Sequence, residues 1–159
     1  MNELLNLLKQ NALETPENLA KMLDCSVEEV KTQIADYEKK GIIRAYQAVV
    51  DEDKLDTSIV TTVIEVKITP EGDGGFDRIA RNISQFQEVD SVFLMSGAFD
   101  LLLFIKGRTM HEAARFVSEK LAIMPAVTST ATHFMMKTYK QNGILMQAGG
   151  DDERLKISP

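Results

Sequence analysis

The sequence predicts an α+β protein in two parts: three short helices with a β-prone trailing segment, then a βαββαβ unit. Two observations predict it. Residues 2–41 show helical apolar spacing in three short blocks closed by Lys40-Gly41, and residues 60–139 alternate between strand and helix periodicities in the order strand, helix, strand, strand, helix, strand. The boundaries that follow are a helical domain over 1–50, a linker over 51–59, a sheet domain over 60–140 and a polar C-terminal tail over 141–159.

The first helix covers about Glu3–Gln10, with Leu4, Leu5, Leu7 and Leu8 giving a wide apolar face. Thr15-Pro16 starts the second, because Thr accepts from a free amide of the first turn and Pro lacks the N–H that would be unsatisfied there. Leu19, Ala20 and Leu23 form its inward stripe, and Asp24-Cys25 make the turn, with Cys25 expected as a small buried group. Ser26-Val27-Glu28-Glu29 is a capping box that opens the third helix. Val30, Ile34 and Tyr37 face inward from it, Lys31, Thr32, Gln33 and Asp36 face outward, and Gly41 supplies a left-handed end. Ile42 to Val50 is β-prone and reads as a strand or wing.

Helix, short turn, helix is the spacing that lays a second helix in the DNA major groove, so this part reads as a winged helix-turn-helix. A plain three-helix bundle with no nucleic-acid role fits the same pattern. Charge bears on the choice. The whole chain carries a formal −6, and residues 1–50 hold six Lys/Arg against eight Asp/Glu. Affinity for the phosphate backbone comes from Lys and Arg, so a single copy of this head is expected to bind double-stranded DNA weakly.

In the second part Val60, Thr62, Ile64, Val66 and Ile68 alternate as a strand, Thr69-Pro70 ends it, and Glu71–Gly75 is loop. Phe76, Ile79, Ala80, Ile83 and Phe86 recur at helical spacing. Ser91–Ser96 and Leu101–Lys106 read as two strands joined by Gly97-Ala98-Phe99-Asp100, Met110–Ile123 as a helix ended by Pro125, and Val127–Tyr139 as the last strand. That order is the ferredoxin-like arrangement, with both helices on one face of an antiparallel sheet. The other face carries Thr, Val, Phe and Met, so a second subunit is the expected cover and a homodimer through sheet faces follows. The eight methionines are expected in the core or in subunit interfaces.

Several classes are set aside. No apolar run approaches the roughly 18–20 residues of a membrane span, and no secretory signal is visible. A lone cysteine fits a reducing cytoplasm. His111 and His133 have no partners at metal-ligand spacing, so neither a metal nor a cofactor is expected. No Ser/His/Asp, Cys/His or phosphate-loop pattern points to an enzyme.

Three passages resemble the Lrp/AsnC, or feast/famine, family of prokaryotic transcriptional regulators. Asn18-Leu19-Ala20-Lys21 through Ser26, with Tyr37-Glu38-Lys39-Lys40-Gly41-Ile42-Ile43, is similar to the family's reading head. Ser96-Gly97-Ala98-Phe99-Asp100 resembles its Gly-x-x-Asp hairpin, and Pro125-Ala126-Val127-Thr128-Ser129-Thr130-Ala131-Thr132 its entry into the last strand. The resemblance implies a DNA-binding regulator that forms dimers, commonly assembled into octamers, and responds to a small effector, in many members an amino acid bound between dimers. By motif it places effector binding at Ser96, Gly97, Asp100, Thr130 and Thr132. An amino acid suits them: Asp100 offers an anion to the ammonium, and glycine-rich backbone and Thr hydroxyls offer donors to the carboxylate. DNA contact falls to Lys31, Thr32, Gln33 and Arg44, with Thr32 and Gln33 able to bond base edges. The chain departs from the family where Thr32, Gln33, Ala35 and Asp36 stand on the third helix in place of basic residues, and where Leu13 replaces an Arg. An oligomeric small-molecule sensor whose acidic head binds a protein, or no longer binds DNA, is the alternative function.

Overall fold

The computed structural model describes residues 3–55, 59–69, 75–107 and 109–146. The chain divides into two units, 1–50 and 51–159.

In the first unit α1 (Glu3–Gln10), α2 (Pro16–Leu23) and α3 (Val27–Lys39) pack around Leu4, Leu8, Leu19, Ala20 and Val30. Half-buried Leu23, Ile34, Tyr37 and Ile43 close the edges of this small core. The helix starts follow from their caps. Thr15 Oγ1 accepts from the Asn18 amide at 3.2 Å, and Pro16 sits in the first turn. Ser26 Oγ accepts from the Glu29 amide at 3.2 Å while Glu29 Oε2 accepts from the Ser26 amide at 2.8 Å, a complete capping box. The ends are set by left-handed residues. Gly41 (φ 66°) lets the Ile42 amide reach Tyr37 O at 2.9 Å and its own amide reach Glu38 O at 3.0 Å. Asp24 (φ 51°) does the same work for α2, and the Cys25 amide reaches Ala20 O at 3.0 Å.

Two expectations change here. Cys25 is exposed rather than buried, because the left-handed Asp24 turns the chain outward before α3 begins. Residues 42–50 form no strand: a β-prone segment needs a second strand, and none of the described residues pairs with it.

In the second unit β1 (Val60–Ile68), α4 (Gly75–Ile83), β2 (Val89–Leu94), β3 (Leu101–Gly107), α5 (Met110–Phe116) and β4 (Val127–Phe134) follow in order. The strands form an antiparallel sheet in the order β2-β3-β1-β4. On β1, Thr62, Ile64, Val66 and Ile68 are buried, and on β3, Leu101, Leu103 and Ile105. Ile79 and Ile83 from α4, Ala113 and Phe116 from α5, and Leu121 complete the core on that side. Thr62 is fully buried, and its hydroxyl has no hydrogen-bond partner among the described residues.

Some boundaries differ from the sequence reading. The last helix is α only to Phe116 and widens into a π turn over Val117–Leu121, where the Ala122 amide bonds Val117 O at 2.8 Å. The last strand ends at Phe134 rather than Tyr139. Part of the span read as a polar tail is ordered: β5 (Lys140–Gln141) and β6 (Ile144–Leu145) make a hairpin around Asn142-Gly143, both at positive φ, and Met146 is buried beside it. Residues 147–159 of that span, Pro70 and residues 71–74 of the loop, and 56–58 of the linker lie outside the described residues.

Candidate DNA-reading and effector-binding sites

The reading-head candidates lie on or just after α3. Lys31, Thr32 and Gln33 are exposed in its second turn, presented by a helix anchored on Val30 and Ile34. Thr32 and Gln33 line an open groove of about 660 Å³ together with Cys25, Glu28, Glu29 and Asp36. Three carboxylates therefore sit beside the two residues that would read bases. Lys31 Nζ lies 3.8 Å from Glu28 Oε1, and Lys40 Nζ lies 2.6 Å from Asp36 Oδ2. Asp36 holds the Lys40 ammonium above its ordinary pKa, and the Ser26 amide and hydroxyl hold the Glu29 carboxyl below its own. Arg44 is exposed beyond the helix end, and its guanidinium folds over Gly41, whose Cβ, were there one, would stand 2.9 Å from Arg44 Cζ. Leu13, in the α1–α2 turn, is 91% exposed. Sequence reasoning missed the contact that secures the trailing segment: Tyr46 Oη donates to Glu38 Oε1 at 2.9 Å. Burial first, then that carboxylate, raises the Tyr46 hydroxyl above its ordinary pKa.

The effector candidates divide into a hairpin and an edge strand. Ser96, Gly97 and Asp100 stand together in the β2–β3 turn, which closes through the Met95 amide on Asp100 O at 2.8 Å. Gly97 has φ 154° and open space on its Cβ side, so the turn is built for glycine and leaves room above it. Asp100 is half-buried. Its amide bonds Val66 O at 3.0 Å, and its Oδ2 accepts from the Ile68 amide at 2.8 Å. Thr130 and Thr132 lie on β4, opposite Val66 and Ile64. Leu101, Val66 and Thr130 form one row across three strands, so Thr130 is about 10 Å from the base of the hairpin. Thr132 is two residues further along. The fold thus brings Ser96, Gly97 and Asp100 into one turn, sets Thr130 at the same end of the sheet and places Thr132 further off.

The opposite sheet face carries Val63, Leu102, Phe104 and Phe93, with Phe93 half exposed and set edge-to-face on Phe104 at 6.0 Å. Glu65 and His133 add one polar contact, Nε2 to Oε1 at 3.4 Å. Among the described residues no helix is long and apolar enough to cross a membrane, and no group of His, Cys, Asp or Glu is arranged to hold a metal ion.

A capped helix-turn-helix joined to a ferredoxin-like unit with an open, aspartate-bearing hairpin is the build of a transcriptional regulator with a ligand-binding domain. The family model described as the Lrp/AsnC ligand binding domain matches residues 61–145. The HTH-type transcriptional regulator YugG of Bacillus subtilis (strain 168) is 46% identical over 158 residues, which cover 99% of this chain and 95% of that protein. The chain belongs to the Lrp/AsnC family of transcriptional regulators. Two solved structures share the fold. A transcriptional regulator of Neisseria meningitidis, solved as its L-Met complex, has a TM-score of 0.69 at 23% identity, covering 89% of this chain and 93% of its own. AsnC of Escherichia coli has a TM-score of 0.65 at 17% identity, covering 87% of this chain and 91% of its own.

Proposed function

We propose that this regulator binds double-stranded DNA weakly through each head, strongly only as an oligomer, and responds to a small α-amino acid. The observation that carries the effector part is the Asp100 carboxylate. One oxygen is fixed on the Ile68 amide, so the group is held in place, and the other has no protein partner among the described residues. A held carboxylate with one free oxygen, beside an open glycine turn, suits an ammonium. Ser96 and Gly97 would meet the rest of the amino-acid backbone, with Thr130 and Thr132 reached from β4. That the Neisseria regulator was solved with L-Met supports an amino acid as the class.

Thr32 and Gln33 would meet base edges, and Lys31 and Arg44 phosphates. The apolar sheet face opposite the buried one, with Val63, Leu102 and Phe104 half-buried and Phe93 half exposed, supports a homodimer through the sheets, and further assembly to an octamer would multiply weak heads. A second reading, in which the acidic head binds a protein or has lost DNA binding, is favoured by the pairing of Lys31 and Lys40 with neighbouring carboxylates.

Two measurements test this. A mobility-shift titration against DNA from the protein's own gene neighbourhood, at low and moderate salt, separates the readings: a retarded band at low salt supports the first, and none supports the second. A thermal-shift screen of the twenty amino acids is expected to give at least one hit whose stabilisation rises with concentration. No shift with any of them would end the amino-acid proposal.

A further inference from the structure

The chain passes from one unit to the other at Val50-Asp51, and the first structure after that point is a single 3-10 turn, Glu52–Lys54. This turn holds itself by local bonds: the Lys54 amide to Asp51 O at 3.2 Å, the Leu55 amide to Glu52 O at 3.1 Å, and Lys54 Nζ to Asp51 Oδ2 at 3.4 Å. Asp53, Lys54 and Leu55 are exposed, so little apolar burial fastens it. Among the described residues one sequence-distant hydrogen bond does: Lys106 Nζ, on β3, donates to Glu52 Oε1 at 2.8 Å. Lys106 also lies 3.8 Å from Asp90 Oδ1 on β2. Glu52 is the leading cause, and Asp90 a lesser one, holding the Lys106 ammonium above its ordinary pKa.

We infer that Lys106 is a positioning residue, a clamp that fixes where the chain leaves the sheet unit toward the reading head. The inference rests on the DNA-binding proposal and adds a coupling to it. A head on a loose tether samples many positions, and its effective concentration at a second DNA site falls accordingly. A clamp at the tether's base restricts that sampling. Lys106, Glu52 and Asp90 are all partly exposed, at 45%, 39% and 47% of their side chains, so the clamp is modest and weakened by salt.

The test uses the full chain with Lys106→Met, which keeps the apolar stem, Glu52→Gln, and the exchanged pair Glu52→Lys/Lys106→Glu in an Asp90→Asn background. The last change removes the carboxylate that would repel the new glutamate. Amide hydrogen exchange at Lys54 and Leu55 reads the clamp without DNA. The single variants are expected to exchange about two- to fivefold faster, and the exchanged pair to return to the wild-type rate. Unchanged exchange in both single variants overturns the clamp. Binding is then compared on DNA fragments carrying one or two sites. The single variants are expected to lose about two- to fivefold on the two-site fragment and nothing on the one-site fragment, with light-scattering mass unchanged. Equal losses on both fragments, or a smaller mass, overturn the positioning role. A wild type that binds neither fragment overturns the DNA reading and that role with it, while the exchange rates still judge the clamp.

Discussion

The Asp100 carboxylate reaches the Ile68 amide at 2.8 Å and does for β1 what a longer β3 would have done. The β1–β3 ladder ends at Val66 opposite Leu101, so the Ile68 N–H lies beyond the last backbone carbonyl that β3 offers. A bulge between Lys67 and Ile68 further disturbs the pairing with β4. Asp100 therefore has an observed role toward the backbone to separate from the proposed one toward an effector. Asp100→Asn keeps an acceptor oxygen for Ile68 and removes the charge. It is expected to unfold within about 1 kcal/mol of wild type and to lose the amino-acid thermal shift. Asp100→Ala strands a part-buried amide and is expected to cost about 1–3 kcal/mol in urea unfolding. An Asn variant that keeps wild-type effector affinity would place the ammonium's partner elsewhere.

Thr62 gives a simpler stability test. Its buried hydroxyl has no partner among the described residues, and Thr62 stands opposite Ile105 on the buried side of β1 that it shares with Ile64. Burying an unpaired hydroxyl costs about 1–3 kcal/mol. Thr62→Val removes the hydroxyl at nearly constant shape and is expected to stabilise by about 1 kcal/mol, read as a higher urea midpoint at an unchanged slope. An unchanged or lower midpoint would mean that the hydroxyl is satisfied in solution.

What the sequence disclosed, and what it did not, follows the range of the interaction. Thr15-Pro16 and Ser26-x-x-Glu29 act within one helical turn, so the starts of α2 and α3 were legible. Alternation along β1 identified its buried face, because the pleat has a fixed period of two. The Asn142-Gly143 hairpin is equally local, since positive φ at both residues is what such a dipeptide encodes, but the polar composition around it reads as a tail. The Asp100–Ile68 and Lys106–Glu52 contacts span 32 and 54 residues, and no local pattern announces them. The wing is not legible from local sequence, since a strand needs a partner that residues 42–50 do not find among the described residues.

Acid titration should single out Glu88. Lys120 Nζ bonds its Oε1 at 2.5 Å and also stands over the Phe86 and Phe116 rings, 5.0 and 5.8 Å from their centroids. The Lys120 hydrogen bond leads the causes holding the Glu88 carboxyl below its ordinary value of 4.5. A carboxyl lowered on folding contributes stability above its unfolded pKa, and that contribution fades as pH falls through the folded value. The two side chains are 36% and 41% exposed, so the contribution is at most about 1 kcal/mol after screening. Urea unfolding of wild type and Glu88→Gln is expected to differ by that order at pH 7 and to converge as the pH is taken below the ordinary carboxylate range. A difference that stays constant with pH would mean that the pair contributes nothing through charge.

The last expectation concerns the head, where charges oppose the proposed partner. Lys31 is 3.8 Å from Glu28, so part of its charge is already balanced before DNA arrives, whereas Arg44 makes no ion pair among the described residues. Each cation that neutralises a phosphate adds about 0.9 to the slope of log affinity against log salt. Arg44→Ala is therefore expected to lower that slope by nearly this amount, and Lys31→Ala by less, both weakening all sequences alike. Glu28→Gln frees Lys31 and removes a negative charge from the groove, so it should tighten binding to any sequence and steepen the slope. Gln33→Ala should act differently. It leaves the slope alone and relaxes preference at one base position, by about 1–3 kcal/mol of discrimination if Gln33 makes a two-bond contact to adenine. Titrations of the four variants on specific and random DNA at several salt concentrations separate these effects. If Gln33→Ala changes neither affinity nor preference while Glu28→Gln still tightens binding, α3 touches phosphates without reading bases.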